Sequence, residues 1–141
     1  KIQQVNLFAP FVLCQAAVSG MAKKEWGRIT NISSILGKVS KTGRAAYSAS
    51  KFGLDGLTVS LSAEYSSTGI MANCVAPGFI DTSLTRRMLK PNEIKELIST
   101  VPAARLGDVS EVSKLVLWLS SEENTFTTGQ NIAIDGGFTR V

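Results

Sequence analysis

Apolar residues recur at helical spacing over Lys1–Ala22, with Val5, Phe8, Val12 and Ala16 among them, which predicts one helix. Pro10 lies inside it and has no N–H to donate, so a bend or a loosened turn is expected there. After Trp26-Gly27 the pattern changes. Arg28–Ser34 is short, partly β-branched and closes on Ser33-Ser34, reading as a strand and then a loop. Ser40–Arg44 is rich in turn formers. A long helix is expected from Ala45 to Ser66, ended by Gly69 as a left-handed C-cap. Ile70–Val75 reads as a buried strand broken by Pro77-Gly78. Phe79–Pro102 is irregular and charged, with helical pieces around Ser83–Leu89 and Asn92–Ser99. Asp108 and Glu111 form a capping-box signature. The helix behind them presents Val112, Leu115, Val116 and Leu119 on one face. Asn131–Asp135 is the last expected strand, and Gly136-Gly137 follows it.

Helices and strands thus alternate, which predicts a parallel sheet covered on both faces: an α/β, doubly wound fold. Three strands are visible. Sheets of this kind usually have five or more, and three alone leave an edge exposed. No cap residue precedes the first helix and no initiator Met is present. The chain is therefore expected to be the later part of a longer domain.

Composition narrows the chemistry. The 141 residues are 44% apolar and 18% charged, enough for a packed core and unlike a disordered chain. Histidine is absent, which excludes a Ser-His or Cys-His pair and any His-ligated metal within this chain. An acid or base here must be Tyr, Lys, Asp, Glu or Cys. Cys14 and Cys74 stand 60 residues apart with no CxxC, so they are expected to be buried small residues in a reducing, cytoplasmic setting. The net charge of +4 comes from scattered basic residues, with no stripe that would bind nucleic acid. No run approaches the roughly 18 apolar residues of a membrane span, so neither a nucleic acid nor a membrane is an expected partner.

Tyr47 and Lys51 sit at i and i+4 near the start of the long helix, a spacing that stacks them on one face. A phenol has a reference pKa near ~10, and a neighbouring ammonium favours its ionised form. The pair can therefore give or take a proton at an alcohol or ketone. The spacing alone is a weak signal. Ser34, 13 residues earlier at the end of a strand, strengthens it, because ligands of open α/β sheets bind at the carboxyl ends of the strands. Pro77-Gly78 and Asp135-Gly136-Gly137 end the other two strands at the same edge.

With these motifs in place, the chain resembles the C-terminal part of a short-chain dehydrogenase/reductase. The resemblance rests on Val5-Asn6-Leu7, Asn31-Ile32-Ser33-Ser34, Tyr47-Ser48-Ala49-Ser50-Lys51, Asn73-Cys74-Val75-Ala76-Pro77-Gly78, Thr128-Gly129-Gln130 and Asp135-Gly136-Gly137, in family order and spacing. It implies a Rossmann-like, NAD(P)-binding single domain, of which 1–141 would be the later part. Residues 79–102 would be its substrate-binding lid. It implies a catalytic set of Asn6, Ser34, Tyr47 and Lys51. Tyr47 would protonate the new alkoxide, and Lys51 would hold the cofactor ribose and depress the Tyr47 pKa. Ser34, with Ser33 as the neighbouring alternative, would hydrogen-bond the substrate oxygen. Asn6 would hold a water in a proton relay. Pro77, Gly78, Ile80 and Thr82 would join Tyr47 and Lys51 in binding the nicotinamide end, while Asn73 would be structural.

Within the family the run from Asn31 to Gly137 looks most like 3-oxoacyl-acyl carrier protein reductases. NADP or NAD would be the cofactor and a carbonyl or secondary alcohol, free or linked to acyl carrier protein, the substrate. Ser83, Leu84, Met88 and Leu89 would meet an apolar substrate. Arg86, Arg87 and Lys90 would meet an acidic substrate or carrier, and Lys41 and Arg44 would be a further docking place for a carrier. A homotetramer or homodimer is implied, with Ala46, Ala49, Ser50 and Gly53 admitting a partner helix. The family's glycine-rich phosphate turn, which uses backbone N–H groups at a helix N-terminus, has no counterpart among these residues. Gly53 and Gly56 are expected to serve helix packing. Roughly 90–110 residues would precede Lys1 in a complete family domain. The alternative reading is a non-catalytic relative or fragment that binds an oligomer or partner.

Overall fold

The computed structural model describes residues 1–140. Three parallel strands, β1 (Gly27–Ile32), β2 (Ile70–Pro77) and β3 (Asn131–Ile134), form one sheet in the order β1-β2-β3. Helix α1 (Ala9–Lys23) precedes β1, α2 (Ala45–Tyr65) connects β1 to β2, and α3 (Ser83–Met88), α4 (Pro91–Ser99) and α5 (Val109–Leu119) lie between β2 and β3. The α/β parallel architecture agrees with the helix and strand alternation of the sequence.

The first helix is not uniform. A π-helical turn, Gln4–Phe8, runs into α1, and the Ala9 N–H donates to the Gln4 carbonyl five residues back. Pro10 explains the shift: an α-helical turn would require a Pro10 N–H for the Asn6 carbonyl, and none exists. The expected loosening at Pro10 is therefore a widened turn centred on Asn6.

β2 is the middle strand and the most buried. Ile70, Ala72, Asn73, Cys74, Val75 and Ala76 are all 0% exposed, which is why this segment reads as a near-continuous apolar run. It extends two residues beyond the expected Val75, to Pro77. In the alternation of a parallel strand, the nitrogen of residue 77 faces β1, and β1 has already ended where the Ser33 N–H donates to the Val75 carbonyl. The missing N–H of Pro77 therefore costs no ladder bond. β1 ends at Ile32, and Ser33 and Ser34 leave the sheet as the expected turn.

Cys14 and Val18 of α1 pack with Ile29, Leu61, Ile70 and Ala72 in one core cluster, and both cysteines are buried and free. Gly69 has φ +80 and ends the connection after α2; a Cβ there would lie 2.1 Å from the Glu25 carbonyl oxygen. Only glycine fits that turn.

Two expectations need correction. Ser50 and Gly53 are not open to a partner helix: Ser50 is fully buried and a Cβ on Gly53 would lie 2.8 Å from Leu7 Cδ2, so both serve the approach of the chain's own first helix. Gly56 meets nothing within 4 Å, so no packing contact in this chain requires it. Gln4–Lys23 forms a continuous 20-residue helix that is long and apolar enough, by length and composition, to cross a membrane; polar residues interrupt its apolar run, so the count of consecutive apolar positions stands.

Candidate active site

The site is built at the carboxyl ends of β1 and β2. Ser33 and Ser34 leave β1 in opposite directions, as successive residues of an extended chain must. Ser33 is buried and its Oγ donates to the Lys51 carbonyl of α2 at 3.3 Å, so it ties the strand end to the helix. Ser34 lines an open cleft of about 290 Å³. Its Oγ accepts the Leu36 N–H at 3.2 Å, capping a short 3-10 turn, Ile35–Gly37. That bond uses a lone pair and leaves the hydroxyl hydrogen free to donate toward the cleft. Gly37 lets the turn lie flat on α2: a Cβ would meet Ser33 Oγ at 2.7 Å and the Lys51 backbone at 3.0 Å.

Tyr47 lines the same cleft, one turn into α2. Lys51 follows one turn later, with its Nζ 5.7 Å from the Tyr47 ring centroid. The Lys51 ammonium is buried and donates to the Ile32 carbonyl at 2.8 Å. Burial pushes its pKa below the ordinary lysine value, and the neighbouring Cys74 opposes the shift. Cys74 itself is pushed up to about 11, mainly by burial and against a hydrogen bond with Thr58, so it stays a neutral thiol.

Asn6 sits in the π-helical turn and its Nδ2 donates to Ser50 Oγ at 3.2 Å; Ser50 Oγ donates to the Tyr47 carbonyl at 2.6 Å. Asn6 therefore reaches the centre through Ser50 and the backbone of Tyr47. Asn73 is structural, as expected. It is fully buried, donates to the Thr127 carbonyl at 2.8 Å and accepts the Gln130 N–H at 3.1 Å.

Gly78 also lines the cleft, immediately after Pro77. Ile80 and Thr82 lie elsewhere. Ile80 bridges to Gly107 and lines a separate cavity of about 130 Å³ with Val101, Arg105 and Asp135. The Thr82 hydroxyl caps α3 by accepting the Thr85 N–H at 3.1 Å. The cleft thus brings together Ser34, Tyr47 and Gly78, with Lys51 behind Tyr47. Its remaining wall includes Ile35, Leu36, Val39, Phe79 and Phe138, which sequence reasoning did not single out. The 3-10 turn directly behind Ser34 is the signal that could have found the first three.

The geometry has close counterparts. A family model described as enoyl-(acyl carrier protein) reductase matches residues 1–139. The chain belongs to the short-chain dehydrogenase/reductase family. It is 40% identical over 136 residues to the 3-oxoacyl-[acyl-carrier-protein] reductase FabG of Vibrio cholerae, covering 96% of this chain and 55% of that protein. It is 37% identical over 132 residues to the acetoacetyl-CoA reductase of Cupriavidus necator, covering 94% of this chain and 53% of that protein. The crystal structure of a gluconate 5-dehydrogenase from Burkholderia cenocepacia, in complex with NADP and tartrate, superposes with a TM-score of 0.91 at 33% identity. That match covers 97% of this chain and 54% of the other. This member of the short-chain dehydrogenase/reductase family thus spans about half the length of the curated relatives it matches.

Proposed function

We propose that this chain supplies the proton-transfer half of an NAD(P)-dependent oxidoreductase that interconverts a carbonyl and a secondary alcohol. The observation that carries the reading is the shared cleft of Ser34 and Tyr47, with a buried Lys51 ammonium one helical turn behind the phenol. The donor set suits the nicotinamide end of the cofactor. Lys51 offers an ammonium for ribose hydroxyls, and the end of β2 at Pro77-Gly78 opens beside it. Ile80 and Thr82 would complete the contact. A bound nicotinamide supplies or accepts the hydride.

The chain's own residues handle the oxygen. Ser34 donates its free hydroxyl hydrogen to the substrate oxygen and stabilises the charge that develops there. Tyr47 protonates the alkoxide during reduction and takes the proton back during oxidation. Lys51 places an ammonium one helical turn behind the phenol. Asn6, through Ser50, fixes the helical turn that carries Tyr47 and can hold a relay water near Lys51. The relatives named as thioester reductases support a 3-oxoacyl thioester substrate, and the gluconate 5-dehydrogenase supports a smaller polar one.

The outer faces support assembly with further protein. Phe8, Phe11 and Val12 of the first helix and Phe52 and Val59 of α2 are all more than 40% exposed, and the outer edge of β1 is unpaired. We read the first helix as a core helix rather than a membrane span, because Asn6 and Gln3 bond to α2 and Cys14 and Val18 enter the core. A homotetramer or homodimer, housed in the cytoplasm, fits this reading.

The test uses the full gene product with NADPH or NADH deuterated at the nicotinamide C4 and acetoacetyl-CoA or a short oxo acid as the carbonyl. One deuterium on the carbinol carbon of the product is expected. Turnover that leaves the deuterium on the cofactor contradicts the proposal.

A further inference from the structure

The Ser34–Tyr47 cleft carries a charge pattern that the proton chemistry does not need. Lys41 and Arg44 line it together with Ser34 and Tyr47, and no Asp or Glu does. Both are exposed. Among the described residues the ion pairs are Asp81–Arg86 and Arg105–Glu111, so neither cleft cation is neutralised by a carboxylate. Their backbones are occupied in the turn before α2, where the Arg44 N–H donates to the Lys41 carbonyl and the Arg44 carbonyl accepts from Ser48. Among the described residues their side chains make no hydrogen bond. Two free cations in a cleft with one apolar wall describe a site for a short carbon chain that ends in an anion.

We propose that this cleft selects carbonyl substrates bearing their own oxyanion, a carboxylate or a phosphate, held by Arg44 with Lys41 in support. The inference rests on the reductase reading above and names its substrate class. Arg44 is the N-cap of α2, three residues before Tyr47, so the anion is held at the start of the helix that carries the proton donor. A guanidinium fork matches either oxyanion in a bidentate way. The volume of about 290 Å³ is at the lower end for small-molecule sites, which favours a small acid bound within the cleft over an acidic protein docked outside it.

The test compares matched probes on the full gene product. 4-Oxopentanoate is set against its methyl ester, and dihydroxyacetone phosphate against dihydroxyacetone. Binding is followed by saturation-transfer NMR with NADP+ present, and reduction by NADPH or NADH consumption. The anionic member of at least one pair should be favoured by about tenfold or more in kcat/KM, and the preference should shrink as KCl is raised. Which pair shows it distinguishes carboxylate from phosphate. Arg44→Gln should remove most of that preference and leave the neutral probe within about twofold, with Lys41→Gln smaller in the same direction. Equal handling of charged and neutral probes by wild type overturns the inference. So does an Arg44→Gln loss confined to a thioester on acyl carrier protein, which would place the cations in protein docking. Arg44-dependent anion binding without any cofactor oxidation would keep the site and sink the reductase reading; cofactor oxidation with no anion preference would do the reverse.

Discussion

The strand ends that carry Ser34 and Pro77, and the stretch 79–102 that follows them, are held in place by different forces. The first region hangs on buried bonds. Ser33 is tied to α2, the Lys51 ammonium to the end of β1, and Asn73 to two backbone groups of the segment entering β3. The second region has no buried residue in either α3 or α4. Val101 is its one buried residue among those described, and its two helices are ordered by exposed or half-buried contacts. Arg86 pairs with Asp81, Thr82 caps α3, and the Lys90 N–H donates to Glu93 at 2.6 Å to start α4. Arg105, on the way to α5, pairs with Glu111. Exposed pairs of this kind add little net stability and are weakened by salt. We propose that the contrast serves a division of labour, with 79–102 as the substrate lid: proton chemistry needs fixed distances, and a lid needs freedom to open.

The largest break expected in this comparison is at the base of the rigid region. Gly69→Ala forces a Cβ against the Glu25 carbonyl at a positive φ and should cost about 2–5 kcal/mol in denaturant unfolding. A loss under about 1 kcal/mol would show that the β1–β2 base can shift. Asn73→Ala should cost about 1–3 kcal/mol, because it takes away the partner of the Gln130 N–H and one of the two side-chain donors to the Thr127 carbonyl, and empties a fully buried position. Removing Arg86 from the lid, as Arg86→Gln, should leave global unfolding unchanged. Equal effects at the two sites would erase the distinction.

The smallest effect is electrostatic. Hydrogen bonds from Arg105 and from the Asp108 N–H hold the Glu111 carboxyl down to about 2. Its folded value lies below the ordinary carboxylate range, so its contribution to stability is present above that range and is lost as pH falls toward about 2. Carbon-detected NMR titration should find this low value and see it rise in Arg105→Gln. An ordinary carboxylate titration in the native protein would contradict the pair.

Much of the rigid region was legible in the sequence and much of the lid was not, for one physical reason. A buried strand reveals itself by an apolar run, as Ile70–Ala76 does, and a capping box by spacing, as Asp108 and Glu111 do. The Tyr47–Lys51 spacing is fixed by helix geometry, so motif and structure coincide. Contacts between distant segments leave no such trace. Nothing in the pattern shows that Gly53 receives Leu7, that Ser33 turns inward while Ser34 faces the cleft, or that Phe138 reaches the wall opposite Ile35. Ile80 and Thr82 stand in an irregular segment, and their present partners, Gly107 and Thr85, follow from tertiary packing rather than from local pattern. The Pro10 effect lies between these cases: the missing N–H predicts a disturbance, and the chain resolves it as a π-helical turn that places Asn6.

The central claim is that Tyr47 supplies the proton from a fixed position beside Ser34. It is tested most directly by kcat/KM for NAD(P)H-dependent carbonyl reduction by the full gene product, as wild type and as Tyr47→Phe, with circular dichroism to show that both are folded. A loss of about 100-fold or more in the folded variant is the predicted result, and activity within about threefold of wild type would contradict it.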